Sequence, residues 1–183
     1  KLMIILLILA VAVAAFLGYV AMQPPDFRIT RSTTIAATPA EVFAQVNDLH
    51  KFQSWSPWAK MDPNVKTAFE GPDAGEGAVF HWEGSSQVGA GTMTLIASKP
   101  GELVTYRIEF LKPFPGTNLA EFTFKPGGNG TLVTWSMSGR KSFVPKIFCV
   151  FMNMDKMVGD EFEKGLANLK AICEGGGKQA GGI

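Results

Sequence analysis

The groups that could transfer protons or bind metal ions are few in this chain of 183 residues. There are two histidines, His50 and His81, and two cysteines, Cys149 and Cys173. A zinc site needs about four closely spaced Cys, His or carboxylate ligands, and no such cluster is present in the sequence. No nucleophile elbow, phosphate-binding loop or dinucleotide fingerprint stands in a suitable context. We therefore predict no catalytic residue, no metal site and no cofactor, and leave enzymatic activity uncertain.

Aromatic and methionine side chains are more informative, because the chain has 14 Phe, four Trp, two Tyr and eight Met. These side chains could simply form the core. As a set they also suit a deformable cavity for a hydrophobic ligand, since methionine adapts its shape and aromatic rings supply broad contact area. We predict these ligand-binding residues, with Trp55 and Trp58 at the cavity entrance: Trp55, Trp58, Phe80, Trp82, Met93, Tyr106, Ile108, Phe122, Trp135, Met137, Phe151 and Met154.

Strands and helices that would position these side chains follow from periodicity. Thr38-Pro-Ala-Glu41 predicts a capped helix start, and a second short helix follows at 49–55. A strand at 27–35 and six further strands separated by glycine and proline turns predict an antiparallel sheet. The six strands are predicted at 65–70, 78–83, 91–98, 102–110, 118–125 and 131–138.

The last predicted element is one long helix from Pro145 to Cys173, with apolar residues at three- and four-residue spacing. One face of the sheet is expected to pack on this helix. Cys149 and Cys173 would lie roughly 36 Å apart along it, so we expect no disulfide.

An apolar segment precedes the folded part, since every residue of Leu2–Met22 except Gly18 is apolar. At about 1.5 Å per residue it spans roughly 31 Å, which matches the bilayer core. We predict a transmembrane anchor at 1–22 that contacts the lipid bilayer through 2–22. A linker at 23–26, a folded domain at 27–174 and a flexible glycine-rich tail at 175–183 follow. A cleaved signal peptide is the alternative for the first segment.

The charge balance bears on partners and location. With 17 Lys+Arg against 16 Asp+Glu, the net charge of +1 gives no bulk electrostatic case for nucleic acid. A long folded domain translocates largely regardless of flanking charges. We therefore expect a single-pass membrane protein with its soluble domain on the extracytoplasmic, periplasmic side.

A second apolar cluster occupies Phe143–Met152 and contains more apolar residues than one buried helical stripe requires. It could be a locally buried helix start. Otherwise a bilayer, a membrane-protein partner or the mouth of the cavity must cover it.

Several segments together resemble the SRPBCC superfamily, the START-related and polyketide cyclase-like proteins. They are Ile35–Phe43, Trp55–Trp58, Gly75–Ala78 with Trp82–Gly84, Gly130–Trp135, and Met154–Gly159 with Phe162–Leu166. The resemblance covers about 27–173. It implies an α+β helix-grip fold, in which a curved antiparallel sheet of about seven strands wraps around a long C-terminal helix. One transmembrane helix would precede this domain.

The resemblance also implies an apolar cavity between sheet and helix, and binding is commoner in this superfamily than catalysis. The leading hypothesis is a membrane-tethered binding or carrier domain for a lipid-, sterol- or quinone-like molecule. The alternative is an accessory or assembly subunit of a membrane complex, which would use the anchor and Phe143–Met152 as contacts. A cyclase- or aromatase-like enzyme, with Tyr106 as a polar cavity group, is the third hypothesis.

Overall fold

The N-terminal apolar segment is a single helix, α1 (Leu2–Met22), in the computed structural model, which describes residues 1–175. By length and composition α1 is able to cross a membrane, and it fits either an anchor or a signal sequence. Apart from Gly175, the predicted flexible tail lies outside the described residues.

Seven strands form one antiparallel sheet, as predicted. They are β1 (Asp26–Ile35), β2 (Lys66–Glu70), β3 (Val79–Glu83), β4 (Ala90–Lys99), β5 (Leu103–Lys112), β6 (Gly116–Gly127) and β7 (Gly130–Arg140). Their order in the sheet is β1-β7-β6-β5-β4-β3-β2, so β2 to β7 form a meander and β1 closes against β7. Asp26 pairs with Arg140 and Ile35 pairs with Thr131, which aligns β1 with nearly the whole of β7.

The two short helices after β1 also follow the sequence pattern. They are α2 (Pro39–Val46) and α3 (Leu49–Trp55). The Glu41 backbone N–H donates to Thr38 Oγ1 at 3.3 Å, and the Thr38 backbone N–H donates to Glu41 Oε2 at 2.8 Å. This reciprocal pair is a capping box, and Pro39 occupies the first helical turn. A short 3-10 helix at Pro57–Lys60 follows α3.

The prediction of a single C-terminal helix from Pro145 to Cys173 is wrong, because the chain forms two helices there. They are α4 (Phe143–Phe151) and α5 (Met154–Gly175). Met152 between them is extended, and the Asn153 side chain accepts a hydrogen bond from the Lys156 backbone N–H at 2.9 Å. Asparagine is a strong N-cap residue, so Asn153 begins a new helix. Cys149 and Cys173 are on different helices and both are free thiols.

The sheet packs against α5, which gives the predicted helix-grip arrangement. Within the sheet, α5 lies mainly against β1, and α2 packs on β5, β6 and β7. Phe52 of α3 contacts the Tyr106 and Phe122 rings of the sheet. Gly165 of α5 lies so near the sheet that an added Cβ would stand 2.8 Å from the Trp135 ring. Close contact between helix and sheet therefore depends on a glycine at this position.

Candidate functional site

Aromatic rings fill the space between α5 and the centre of the sheet. Trp135 of β7 stacks on Phe162 of α5 with ring centroids 4.1 Å apart, and on Phe122 of β6 at 4.7 Å. Trp55 meets both Trp135 and Phe122 edge-on at about 6 Å. Such stacked and edge-to-face contacts are the favoured geometries of aromatic packing. The interior beneath α5 is therefore packed with protein side chains.

Most of the predicted ligand-binding residues belong to this interior or border it. Six are buried: Trp55, Phe80, Met93, Tyr106, Phe122 and Trp135. Five are partly buried against the core: Trp58, Trp82, Ile108, Met137 and Met154. Phe151, the twelfth, is 75 % exposed on α4.

Trp55 does not lie at a cavity entrance, since only 1 % of it is exposed. Its indole N–H donates to the Gln45 carbonyl at 3.1 Å, which joins α3 to α2. Pro57 stops α3, and the chain then turns so that Trp58 approaches α5. The Trp58 ring lies 6.1 Å from the Phe162 ring. Of the predicted entrance pair, only Trp58 keeps some exposure.

Tyr106, the predicted polar group of the cavity, has its hydroxyl engaged in the fold. The hydroxyl donates to the Val46 carbonyl at the end of α2. Burial raises the pKa of Tyr106 well above its ordinary value, and the nearby Asp48 carboxylate adds to this effect. The group therefore holds its proton and stabilises the contact between α2 and β5.

One open space lies at the start of α5. A groove of about 620 Å³ runs between the beginning of β1 and the junction of α4 with α5, and we name it the β1–α5 groove. Its walls are formed by Phe27–Ile29, Lys141 and Cys149–Asp155. Two predicted ligand-binding residues, Phe151 and Met154, line this groove.

Charged groups stand at two sides of the groove. Arg31 donates from Nη2 to Asp155 Oδ2 and from Nε to Glu163 Oε1, both at 2.9 Å. The Arg31 guanidinium lowers the pKa of Asp155. Lys141 lies on another wall, with its amine 5.9 Å from the centre of the Phe27 ring. The groove is thus lined by apolar side chains together with Arg28, Lys141 and the Asp155 carboxylate, a combination that suits an amphiphilic molecule.

A second, smaller pocket of about 360 Å³ lies on β2, β3 and β4 and is lined in part by His81 and Trp82. His81 Nδ1 is 3.0 Å from Thr92 Oγ1, and its Nε2 is 3.4 Å from Glu70 Oε1. Glu83 pairs with Lys112 at 3.2 Å. The His81–Thr92 and Lys112–Glu83 contacts are hydrogen bonds, whereas His81 Nε2 has no hydrogen-bond partner among residues 1–175. In the same residues, no group of three His, Cys, Asp or Glu could hold a metal ion.

The sequence reasoning missed most of the β1–α5 groove. Phe27 and Ile29 come from the first strand and Lys141 follows the last strand, so no local pattern connects them. The break between α4 and α5, which forms the groove, could be predicted from the sequence, since Asn153 followed by Asp155 is typical of a helix start.

Several solved structures share this fold. A protein of Chromobacterium violaceum, CV1439, matches with a TM-score of 0.55 at 18 % identity, covering 83 % of this chain and 99 % of its own. The di-domain ARO/CYC protein StfQ of the steffimycin biosynthetic pathway matches with a TM-score of 0.61 at 12 % identity, covering 84 % of this chain and 52 % of its own. Major latex-like protein 151 of Panax ginseng gives a TM-score of 0.57 at 13 % identity, covering 81 % and 98 %.

No curated protein sequence matches the chain. A family model does match, over residues 26–174, and its description is polyketide cyclase / dehydrase and lipid transport. This match spans nearly all of the folded part and agrees with the resemblance to SRPBCC proteins. The chain belongs to the polyketide cyclase / dehydrase and lipid transport family.

Proposed function

We propose that this protein is a membrane-tethered domain that binds a hydrophobic small molecule of the lipid, sterol or quinone class in the β1–α5 groove. The observation that carries the proposal is the groove itself. Its volume of about 620 Å³ falls within the range of roughly 300–1,000 Å³ that ligand pockets occupy. Lipid transport is also one of the activities by which the family is described.

The position of the groove supports a membrane source for the ligand. Phe27 follows α1 after a short linker, and the Phe151 ring is 5.8 Å from the Phe16 ring of α1. With α1 as the anchor, the groove opens beside the bilayer. A lipid-like molecule then enters without crossing water, and each Å² of apolar surface it buries contributes about 25 cal/mol.

The buried aromatic residues offer the ligand a second position, deeper in the protein than the β1–α5 groove. The ligand reaches this position when α5 moves away from the sheet. Trp135 supports this extension, because its indole N–H is buried and has no hydrogen-bond partner among residues 1–175. A buried donor without a partner costs about 1–3 kcal/mol. A carbonyl or hydroxyl of a bound ligand would satisfy it.

The test compares two methionines of α5. Met154 lines the groove, whereas Met157, about one turn later, is 51 % exposed and does not line it. The full chain is purified in lipid nanodiscs, and its affinity for fluorescent fatty-acid and sterol probes is measured. Met154→Trp fills the groove and is expected to weaken binding by about tenfold, equivalent to about 1.4 kcal/mol. Met157→Trp is the matched control and should bind as wild type does.

Two results would contradict the proposal. One is a wild-type protein that binds neither probe and carries no small molecule in native mass spectrometry. The other is equal binding by both variants, which would place the ligand away from the groove.

A role as an accessory subunit of a membrane complex is the second candidate, because α4 presents exposed aromatic side chains beside α1. It predicts a stoichiometric membrane-protein partner after purification in mild detergent. A monomer that carries a bound lipid would favour the binding function instead.

A further inference from the structure

We infer that α4 and the β5–β6 turn form a surface that inserts into the interface of the bilayer crossed by α1, with anionic phospholipid as its partner. The surface consists of Phe114, Phe143, Val144, Phe148, Phe151 and Met152, and we name it the α4 surface. Each of these side chains is between 40 % and 75 % exposed. In the described part of the chain, α4 has no buried residue.

The α4 surface joins the β5–β6 turn to α4. Phe114 of the β5–β6 turn and Phe148 of α4 have ring centroids 5.4 Å apart. The turn and the helix therefore present their apolar side chains together. Contiguous apolar patches of this kind are rare on soluble monomers and mark sites that another apolar phase covers.

Contacts with α1 identify that phase. The Phe151 ring packs on Phe16, and the Lys146 amine donates to the Ala21 carbonyl at 3.4 Å. Phe16 lies about 9 Å along the helix from Met22, the end of α1. The apolar face of an interfacial helix is buried roughly 5–10 Å into the boundary between headgroups and acyl chains. A bilayer that surrounds α1 thus covers Phe151 at the depth expected of an interfacial helix.

Strand topology brings the rest of the α4 surface to the same depth. Asp26, where the chain leaves α1, pairs with Arg140 at the end of β7, and α4 begins directly after β7. Gly139 of β7 pairs with Asn118 of β6, which comes shortly after the β5–β6 turn. The start of β1, the end of β7 and the β5–β6 turn therefore share one end of the sheet, which faces the membrane.

Local charge favours anionic lipid over a second copy of the chain. Arg140, Lys141 and Lys146 lie within or beside the α4 surface, and no acidic residue occurs between Gly139 and Asn153. Strand pairing adds Asp26 opposite Arg140, which still leaves an excess of positive charge. The net charge of +1 for the whole chain hides this concentration. Basic residues beside an apolar helix face are typical of helices that bind anionic membranes, whereas two such surfaces would repel each other.

The inference rests on the proposed anchoring by α1, and one experiment tests the two separately. The full chain with Cys149→Ser and Cys173→Ser is placed in nanodiscs of phosphatidylcholine and phosphatidylglycerol. A spin label is attached at Phe148→Cys, Leu9→Cys or Leu132→Cys. Electron paramagnetic resonance then measures the accessibility of the label to oxygen, which partitions into lipid, and to a water-soluble nickel complex.

Leu132 is the matched aqueous control, because it is exposed on β7 about 26 Å from Arg140 and thus at the far end of the sheet. We expect the oxygen-to-nickel ratio at position 148 to exceed that at position 132 several-fold. It should fall toward the value at position 132 when phosphatidylglycerol is omitted.

Other outcomes are distinguishable. A ratio at position 148 equal to that at position 132 would overturn the inference, and a label reached by neither reagent would overturn it in favour of a protein partner or a second copy. An equal ratio with and without phosphatidylglycerol would overturn the role of anionic lipid. The label at position 9 reports on α1 alone, so a water-accessible Leu9→Cys would overturn the anchor whatever the result at position 148.

Discussion

Gly159 of α5 leaves the space in which the guanidinium of Arg31 lies. A Cβ added at Gly159 would overlap Arg31 Nη2. Arg31 lies on the inner face of β1, between the apolar residues Ile29 and Ile35. Across Gly159 it reaches Asp155 and Glu163, both at 2.9 Å, and joins the first strand to the first turns of α5.

The first prediction concerns this pair. Gly159→Ala gains about 1 kcal/mol of helix propensity, but its methyl group displaces Arg31 from both carboxylates. Partly exposed ion pairs are worth about 0.2–1 kcal/mol each. We therefore expect Gly159→Ala to change the free energy of unfolding by less than about 1 kcal/mol in the wild-type background. Urea unfolding of the full chain in nanodiscs, followed by near-UV circular dichroism, measures it.

Its control is the same change in an Arg31→Met background. There is no guanidinium left to displace, so Gly159→Ala should stabilise the protein by nearly the full helix-propensity gain. The double-mutant cycle should then give a coupling of at least about 0.5 kcal/mol. A coupling energy of zero would mean that the ion pairs of Arg31 do not require a glycine at position 159.

The second prediction compares Gly159 with Gly165. An added Cβ at Gly165 would meet the Trp135 ring at 2.8 Å and Pro57 Cδ at 3.1 Å. Both neighbours are rigid, unlike the end of an arginine side chain. Overpacking usually costs about 1–3 kcal/mol, and the added alanine returns about 1 kcal/mol of helix propensity. Gly165→Ala should therefore destabilise the protein by about 1 kcal/mol on balance. The same unfolding assay tests this, and a neutral Gly165→Ala would show that α5 can lift from the sheet at little cost.

Alternation in the strands predicted the sheet well, because one face of each strand is buried. Val104 and Tyr106 of β5 are fully buried, as are Val133 and nearly all of Trp135 in β7. The capping box at Thr38 was also predictable, since it depends only on residues within one turn.

The C-terminal part could not be predicted in the same way. Phe151 and Met154 keep the spacing of a continuous helical stripe, so periodicity alone runs through the break at Met152. The local hydrogen bond from the Lys156 backbone N–H to Asn153 overrides it. The groove was hidden for a related reason, because Phe27 and Lys141 become its neighbours only when β1 pairs with β7.

The third prediction uses two buried tryptophans that pack on the same phenylalanine. Trp55 and Trp135 are 1 % and 2 % exposed, and both contact Phe122. Trp55 donates to the Gln45 carbonyl, whereas the Trp135 N–H has no partner among residues 1–175. Trp55→Phe leaves the half-buried Gln45 carbonyl without its indole donor, while Trp135→Phe removes an unsatisfied donor. We expect Trp55→Phe to cost about 1–3 kcal/mol more than Trp135→Phe.

Unfolding of the two variants, each freed of bound lipid by detergent exchange, checks this difference. The lipid-free state matters because a ligand bonded to Trp135 would make its replacement costly. Equal losses in the lipid-free state would contradict the prediction, since they would mean that the Trp135 N–H is satisfied without a ligand.

The last prediction concerns acid. The backbone N–H groups of Ser85 and Asn64 donate to the Asp62 carboxylate at 2.7 and 2.8 Å, and these bonds lower the pKa of Asp62 below its usual value. The folded pKa is therefore below the unfolded pKa of about 3.9. Such a group contributes stability above the unfolded pKa and loses it as the pH falls through the folded pKa. Asp62→Asn should thus lose less stability than wild type between about pH 5 and pH 2.

Salt provides the control, because the donors to Asp62 are backbone amides rather than charged side chains. Adding sodium chloride should leave the difference in acid sensitivity between wild type and Asp62→Asn nearly unchanged. For Asp155→Asn the same addition should shrink the difference, since an ion pair with Arg31 is screened. If Asp62→Asn lost stability as steeply as wild type, the loop at 61–65 would not be held to the β3–β4 turn by this carboxylate. The hydrogen bond from the Ser85 backbone N–H to Asp62 would then contribute nothing measurable to stability.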